Sequence, residues 1–133
     1  MERSSLKKTL KILIIEDDLD LAETYIDNLE SEEHDVALIS TSTQAIDYFV
    51  RDRNRPDVVI LDMNLPGESG IVVLGLIRRI PRLKRTKVII ASGHPDMAKR
   101  AIDNWGADLF LQKPVAMDVL QNTVNDFKVG MLN

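Results

Sequence analysis

The sequence contains no cysteine among its 133 residues. This absence excludes disulfides and thiolate metal sites, and it suits the reducing cytoplasm, where we expect the protein. No apolar run approaches the roughly 20 residues of a membrane span, and the start MERSSLKKTLK lacks the apolar core of a secretory signal. The net charge of −4 lacks the basic excess of nucleic-acid-binding proteins. We therefore expect neither a membrane nor direct nucleic acid as a partner.

What is present fits one globular domain. A chain of 133 residues can bury one core, and its 44% hydrophobic and 29% charged content is ordinary. We found no internal repeat, low-complexity tract or linker. We therefore divide the chain into a polar lead-in at residues 1–9, one domain at residues 10–129 and a C-terminal tail at residues 130–133.

Five short apolar runs alternate along the chain with five amphipathic segments. The runs are apolar on both faces, which favours strands of a buried parallel sheet over half-exposed antiparallel strands. We predict strands at residues 11–15, 36–39, 57–61, 87–91 and 109–111. The alternation predicts an α/β fold with right-handed crossovers.

Apolar residues recur at helical spacing after each predicted strand. These residues are Leu19, Ala22, Ile26 and Leu29; Ala45, Ile46, Phe49 and Val50; Ile71, Leu74, Ile77 and Ile80; Met97, Ala101 and Ile102; and Met117, Leu120, Val124 and Phe127. Asp18 is a suitable N-cap for the first helix, and Thr41 with Gln44 has capping-box spacing at the second. Pro81 stops the third helix and Gly106 the fourth.

Polar residues follow the strands where each strand ends. Glu16 and Asp17 follow the first strand, Asp62 the third, Ser92 the fourth, and Lys113 comes shortly after the fifth. Ligands of doubly wound sheets bind beyond the carboxyl ends of the strands, so we expect these side chains to converge at one edge. A lone Asp after a strand is more often a turn-former, and the functional interpretation depends on the five residues acting together.

Three carboxylates that crowd together repel one another unless a cation lies between them. An oxygen-only cluster suits a hard cation, and Mg²⁺ needs few protein ligands. Such a cation would keep Asp62 ionised, as a nucleophile requires. A metal, Lys113 and Ser92 together suit the charge of a phosphoryl group. The sequence therefore predicts an aspartyl phosphate at Asp62.

With these residues in this order, the chain resembles the receiver domain of two-component response regulators, over about residues 10 to 129. Four motifs appear in order: "ILIIEDD" for the acid pair, "VVILDMNLPGESG" for the phosphoacceptor and the turn after it, "VIIASGH" for the switch hydroxyl and "GADLFLQKPV" for the lysine. Each motif alone is weak, but together they are highly specific. The resemblance implies a flavodoxin-like, doubly wound (βα)5 fold with a five-stranded parallel sheet in strand order 2-1-3-4-5.

The resemblance also implies a role for each residue at the metal site. Glu16 and Asp17 match the acid pair, with Asp17 the better direct ligand, and Asp62 matches the phosphoacceptor. The backbone carbonyl of Asn64 matches a further ligand of Mg²⁺, for which Mn²⁺ can substitute. Glu16 stands where the family more often has Asp, a substitution that the family accepts.

Three further residues match the switch and the lysine of the family. Ser92 matches the switch hydroxyl and Phe110 the switch aromatic, where Thr and Tyr are frequent. Ser has a freer rotamer than Thr, and Phe lacks the hydroxyl of Tyr. Lys113 matches the lysine, and the resemblance implies a cis peptide bond between Lys113 and Pro114.

The function implied is a phosphorylation-activated receiver domain. A sensor histidine kinase or a histidine phosphotransfer protein would donate the phosphoryl group, and the surface formed by the fourth helix, fifth strand and fifth helix would switch. Beyond self-catalysed phosphotransfer and slow autodephosphorylation, we expect no enzyme activity. The output partner stays open, as do a phosphorylation-dependent homodimer and the choice between a stand-alone receiver and a piece of a larger regulator.

Two other functions compete with this one. A phosphohydrolase of the haloacid dehalogenase type also uses an aspartyl nucleophile, but it resembles a pattern with a second Asp two positions later, where Asn64 stands here. A degenerate receiver could act as a constitutive docking module, although the acid pair, Asp62 and Lys113 are all present. The sequence leaves open the role of His94 and whether Trp105 packs in the protein or anchors an interface.

Overall fold

A computed structural model describes residues 9–132 as a five-stranded parallel sheet covered by helices on both faces. The strands are β1 (Lys11–Ile15), β2 (Asp35–Ile39), β3 (Val58–Asp62), β4 (Lys87–Ser92) and β5 (Leu109–Gln112). Their order across the sheet is β2-β1-β3-β4-β5. The predicted fold class and strand order are therefore confirmed, with strand ends shifted by at most one residue.

The helices are α1 (Leu19–Glu30), α2 (Ser42–Val50), α3 (Gly70–Arg79), α4 (Pro95–Trp105) and α5 (Met117–Leu132), with a 3-10 turn at Pro81–Leu83. Helix α5 continues to Leu132, so residues 130–132, which we assigned to a tail, are helical. The predicted lead-in lies outside the described residues except for residue 9. Within residues 9–132, no helix has the length and apolarity to cross a bilayer.

The two faces of the sheet bury separate apolar layers. Alternate residues of β1 point to opposite faces, so Leu13 and Ile15 join one layer while Ile12 and Ile14 join the other. The first layer packs beneath α2, α3 and α4, and the second beneath α1 and α5. Because β1 and β3 are covered on both faces, their residues are nearly all buried, as continuous apolar runs require.

Local signals place the helix ends. The Asp18 carboxylate accepts a hydrogen bond from Leu21 N at 3.1 Å, and the Thr41 hydroxyl accepts one from Gln44 N at 3.2 Å, as predicted for N-caps. The Gln44 side chain reaches Ser40 N rather than Thr41 N, so the capping box is not reciprocal. Gly106 ends α4 in the left-handed region at φ 82°, where a side chain would be strained.

The predicted apolar faces of three helices are partly wrong. Leu19 in α1 is 62% exposed, Val50 in α2 is 56% exposed, and Met97 and Ile102 in α4 are 41% and 37% exposed. Tyr25 and Ala98, which the periodicity did not single out, are buried instead. Leu19 is the first residue of its helix and lies past the strand ends, while the small Ala98 and Ala101 let α4 approach the sheet closely. The larger α4 side chains are therefore left at the flanks.

His34 closes the turn between α1 and β2. It is buried, and its Nδ1 accepts a hydrogen bond from Leu10 N at 3.4 Å, so that nitrogen carries no proton. Burial lowers the pKa of His34 below its ordinary value of 6.5, and the charge of Lys128 acts in the same direction, against the opposing effect of Glu32. The folded protein therefore holds His34 neutral at a pH where the unfolded chain would protonate it.

We expect the stability of the protein to fall as the pH drops from about 7 to about 5. A group whose folded pKa is depressed binds more protons when unfolded, so protonation of His34 near and below its ordinary pKa favours the unfolded chain. His34→Asn keeps a hydrogen-bond acceptor but does not titrate, and should flatten this dependence. Urea unfolding of both proteins at several pH values measures the difference. Parallel pH profiles for the two proteins would contradict the role of His34.

Candidate functional site

Asp62 is a buried carboxylate at the end of the central strand. Strand β3 lies between β1 and β4, and Asp62 pairs with Ala91 of β4. The residue is only 5% exposed, and its Oδ1 accepts a hydrogen bond from Asn64 N at 3.1 Å. This bond tightens the turn after the strand and fixes one carboxylate oxygen. The strand therefore delivers one oriented acid to the carboxyl edge of the sheet.

The acid pair follows the neighbouring strand β1. Glu16 is 2% exposed, and its Oε2 accepts a hydrogen bond from Asp18 N at 3.2 Å. Asp17 is exposed beside it. Oxygens of the Glu16, Asp17 and Asp62 carboxylates all lie within 4.8 Å of one another. Since Asp18 is used to cap α1, the two acids before it, Glu16 and Asp17, are the ones that belong to the cluster.

Lys113 brings a positive charge to these acids from the far side of the sheet. Its Nζ lies 2.8 Å from Glu16 Oε1 and 3.5 Å from Asp62 Oδ1. Its backbone N donates to the carbonyl of Ser92 at 2.9 Å, which anchors the residue just after β5. The peptide bond from Lys113 to Pro114 is cis, as predicted. The lysine therefore bridges the acids that end β1 and β3.

Burial and charge act on the pKa values of this cluster in opposite directions. Burial raises the pKa of Glu16, and the charge of Asp62 adds to that rise, while the hydrogen bond from Lys113 offsets part of it. Burial lowers the pKa of Lys113, but the hydrogen bond to Glu16 and the charges of both acids outweigh it, so that pKa is raised. The ammonium therefore stays charged at neutral pH, although three acids face this one lysine. The residues present suit an additional hard cation.

Two further predicted residues lie along the same edge or just below it. Ser92 ends β4, is buried, and lies one position beyond Ala91, the partner of Asp62. Its Oγ accepts a hydrogen bond from His94 N at 3.0 Å. Phe110 pairs with Ile90 in the sheet and packs, partly buried, against the core layer of α4. Both side chains are thus placed where β4, β5 and α4 meet.

The other predicted positions are more open to solvent. Asn64 follows Asp62 on the exposed turn, and His94 is the exposed residue before α4. Trp105 is 46% exposed at the end of α4, and its ring lies over Gly75 of α3, 3.8 Å from where a Cβ would stand. Trp105 therefore combines packing with an exposed surface.

Sequence reasoning missed Ser42, a residue that positions the loop after Asp62. Ser42 is fully buried at the start of α2. Its Oγ accepts a hydrogen bond from Glu68 N at 2.7 Å and donates one to the carbonyl of Pro66 at 3.2 Å. A signal was present, because a serine directly after a Thr N-cap can point its hydroxyl to a neighbouring loop. Its partners 24 and 26 residues away could not be read from the sequence.

Gly70 was missed as well. A Cβ at this position would lie 2.6 Å from the backbone oxygen of Asp62 and 2.7 Å from the Cα of Met63. Gly70 N donates to the Met63 carbonyl at 3.0 Å, so the start of α3 rests directly on the end of β3. Only a residue without a side chain permits this approach. The glycine therefore lets the start of α3 pack directly against the end of β3.

Comparison with known proteins agrees with this architecture. Residues 12–125 match the family described as the response regulator receiver domain. That match spans most of the sequence, and the chain belongs to this family.

Three relatives illustrate the similarity. The DNA-binding response regulator MtrA of Mycobacterium tuberculosis is 44% identical over 105 residues, covering 78% of this chain and 44% of MtrA. Sporulation initiation phosphotransferase F of Bacillus subtilis is 28% identical, covering 88% of this chain and 92% of that protein. The solved receiver domain of a signal transduction histidine kinase from Syntrophus aciditrophicus is 27% identical with a TM-score of 0.81, covering 92% of each chain.

Many relatives are much longer than the region of similarity. The chain spans 46%, 36% and 25% of the lengths of three further curated relatives. The family membership therefore describes a receiver domain that occurs in proteins of different sizes.

We expect Gly70→Ala to destabilise the protein by about 1–3 kcal/mol, the usual cost of forcing a methyl group into a packed site. The obstructing atoms are backbone atoms of Asp62 and Met63, which cannot swing away. Gly75→Ala is the matched control on the same helix, because its new Cβ would meet side-chain atoms of Arg79 and Trp105 no closer than 3.4 Å. Urea unfolding measures both variants. Equal stabilities for the two would rule out the close approach at Gly70.

Proposed function

We propose that this receiver domain accepts a phosphoryl group on Asp62 from a phosphohistidine of a sensor histidine kinase or a histidine phosphotransfer protein. One carboxylate oxygen of Asp62 forms a bond to phosphorus as the phosphorus–nitrogen bond breaks, and the electron pair of the broken bond stays with the imidazole. The observation that carries this proposal is the buried Asp62 carboxylate, oriented by Asn64 N and placed 3.5 Å from the Lys113 ammonium. Phosphoryl transfer needs mainly such positioning and charge neutralisation.

The residues at this edge can also hold a divalent cation. Carboxylates of Glu16, Asp17 and Asp62 and the backbone carbonyl of Asn64 are all oxygen donors, the type that Mg²⁺ prefers. When bound, the cation neutralises charge on the phosphoryl oxygens. These four groups would hold it, and Glu16 also keeps Lys113 directed toward Asp62. Mn²⁺ has similar ligand preferences and should substitute.

Ser92 and Phe110 would convert phosphorylation into a change of surface. A phosphoryl oxygen on Asp62 offers a strong acceptor to the proton of the Ser92 hydroxyl, whose oxygen accepts from His94 N in the present structure. Movement of Ser92 toward the phosphoryl group would free space next to β5, and Phe110 would fill it. The surface of α4, β5 and α5 would then present a changed contact area to a partner.

Both competing functions are less consistent with these residues. A haloacid dehalogenase-type hydrolase requires a titrating acid two positions after the nucleophile, and Asn64 supplies none. A docking module without phosphorylation would have no need for three acids and a lysine held together, two of the acids buried, because burying charged groups costs stability. We therefore favour the phosphorylated switch over an enzyme of multiple turnover.

We expect wild-type protein to gain one phosphoryl group from acetyl phosphate in the presence of Mg²⁺, and Asp62→Asn to gain none. The amide of Asn keeps the shape of the side chain but is a poor nucleophile. Intact-protein mass spectrometry measures the modification. Asp57→Asn is the matched control, because Asp57 directly precedes β3, at the opposite end of that strand from Asp62. Its side chain accepts a hydrogen bond from Lys11 N, and an amide oxygen can accept the same bond. Phosphorylation of Asp62→Asn to the wild-type level would overturn the proposal.

We expect Lys113→Met to bind Mg²⁺ more tightly, roughly 3–10-fold, and to be phosphorylated more slowly. Loss of the ammonium leaves Glu16 and Asp62 without their shared counter-charge, so a cation is attracted more strongly. Titration of amide chemical shifts with MgCl₂ measures the affinity. Lys99→Met on exposed α4 removes the same charge far from the acids and should change the affinity by less than about twofold. Weaker Mg²⁺ binding by Lys113→Met would contradict the placement of the metal among these acids.

A further inference from the structure

A groove opens at the edge of the sheet opposite the phosphoacceptor. It lies where β3 and β4 begin and where α5 nears its end, and its volume is about 970 Å³. Pro56, Pro81 and Phe127 contribute apolar surface to it. Strand β3 separates the groove from Asp62 by its whole length. The groove is therefore a second concave site, apart from the acidic cluster.

Positive charge dominates the walls of this groove. Its lining includes five cationic and two acidic side chains. The cations are Arg55, Arg82, Lys84, Arg85 and Lys87, and the acids are Asp57 and Asp126. The segment 78–87 contains six Arg or Lys residues and no acid, although the whole chain carries a net charge of −4. Positive charge is thus concentrated at this segment, although the net charge of the whole chain is negative.

Arg82 is held in position without being neutralised. Its Nη2 donates to the carbonyls of Phe49 and Asn54, which tie it to the end of α2 and the following loop. Its Nε is buried and has no hydrogen-bond partner among the residues that the structure describes. A buried donor without a partner is costly and is expected to find one. Arg82 is therefore an oriented cation whose charge no carboxylate of the described chain offsets.

Three of these cations, at the rim of the groove, are available to pair with a ligand. Arg55, Lys84 and Arg85 are exposed, and within residues 9–132 their side chains form no ion pair or hydrogen bond. Lys87 forms only a long ion pair, with its Nζ 3.9 Å from Asp108 Oδ1. An incoming carboxylate would therefore meet cations without first displacing a strong internal pair.

We propose that this groove docks an acidic peptide segment of a partner protein, with one apolar side chain of that segment against Phe127 and the two prolines. Carboxylates of the segment would pair with Arg82, Lys84 and Arg85, and the concave apolar surface would exclude water from one anchor residue. The groove does not contact Asp62, so this docking is independent of phosphorylation at that residue.

Charge on the rest of the molecule favours a peptide over nucleic acid. Residues 16–35 contain ten acids and no Lys or Arg, and they repel a long polyanion that extends beyond the groove. A short acidic peptide fits inside the basic region and avoids most of that repulsion. The apolar surface also offers a contact that a phosphate backbone cannot use.

The test uses a fluorescein-labelled peptide of Glu and Asp residues around one central Phe, with binding to the whole protein followed by fluorescence anisotropy. We expect Lys84→Glu/Arg85→Glu to weaken binding at least tenfold, the equivalent of about 1.4 kcal/mol. Both side chains are exposed and unpaired within the described residues, so the fold should persist, as a thermal melt verifies. Lys99→Glu/Arg100→Glu on exposed α4 makes the same change of charge elsewhere and should leave the affinity within about twofold.

Further measurements complete the test. Amide shifts caused by the peptide should cluster at residues 54–57, 81–87 and 126–130, and Asp62→Asn should bind the peptide as wild type does. Replacing the peptide Phe with Ser should weaken binding. Equal losses in the two double-charge variants, or binding of a single-stranded oligonucleotide of equal charge as tightly as the peptide, would overturn the proposal. So would a groove filled by a second copy of the chain, seen as self-association in sedimentation that Lys84→Glu/Arg85→Glu abolishes.

Discussion

The bridge from Lys113 to Glu16 and Asp62 is the interaction on which the functional edge depends. Two buried carboxylates side by side are unfavourable, and among the described residues Lys113 is the one cation within ion-pair distance of both. The bridge works because a parallel sheet brings the carboxyl ends of β1, β3 and β5 to the same edge. Strand β4 lies between β3 and β5, so the long lysine side chain must reach across it. A shorter basic side chain would leave the acids unpaired.

The central strand also separates two chemically opposite ends of the molecule. The carboxyl end of β3 meets three acids, while its amino end meets the basic groove. At about 3.3 Å per residue, the five residues of β3 place these ends some 15 Å apart. The strand is buried on both faces, so neither end can shift without disturbing a packed core. Under the proposed function, one end would change its charge by phosphorylation while the other keeps its shape.

Much of the fold and most of the site could be predicted because the signals were local. Strand β1 was predicted with its observed bounds, since an Ile-rich run stops abruptly at Glu16. The convergence of Glu16, Asp17, Asp62 and Lys113 followed from the topology rule for parallel sheets, which needs no knowledge of side-chain packing.

The errors have a common physical origin. Helical periodicity marks a stripe on a helix but not how far along the helix the core extends, so Leu19 was wrongly placed inside. It also cannot tell that small residues such as Ala98 allow closer packing than the larger Met97. Gly70 and Ser42 act through contacts with residues distant in sequence or across a turn, and such contacts exist only once the chain has folded.

The separation in sequence between Glu16 and Lys113 has a consequence for how the site comes into being. These bonded residues are 97 positions apart, so β1 and β5 must both have joined the sheet before the bridge can form. Pairing between such distant segments costs loop-closure entropy and therefore comes late in folding. During synthesis, the acids of β1 leave the ribosome long before their lysine. The bridge therefore needs β1, β3, β4 and β5 to be paired in the sheet, and a half-made chain cannot present this site.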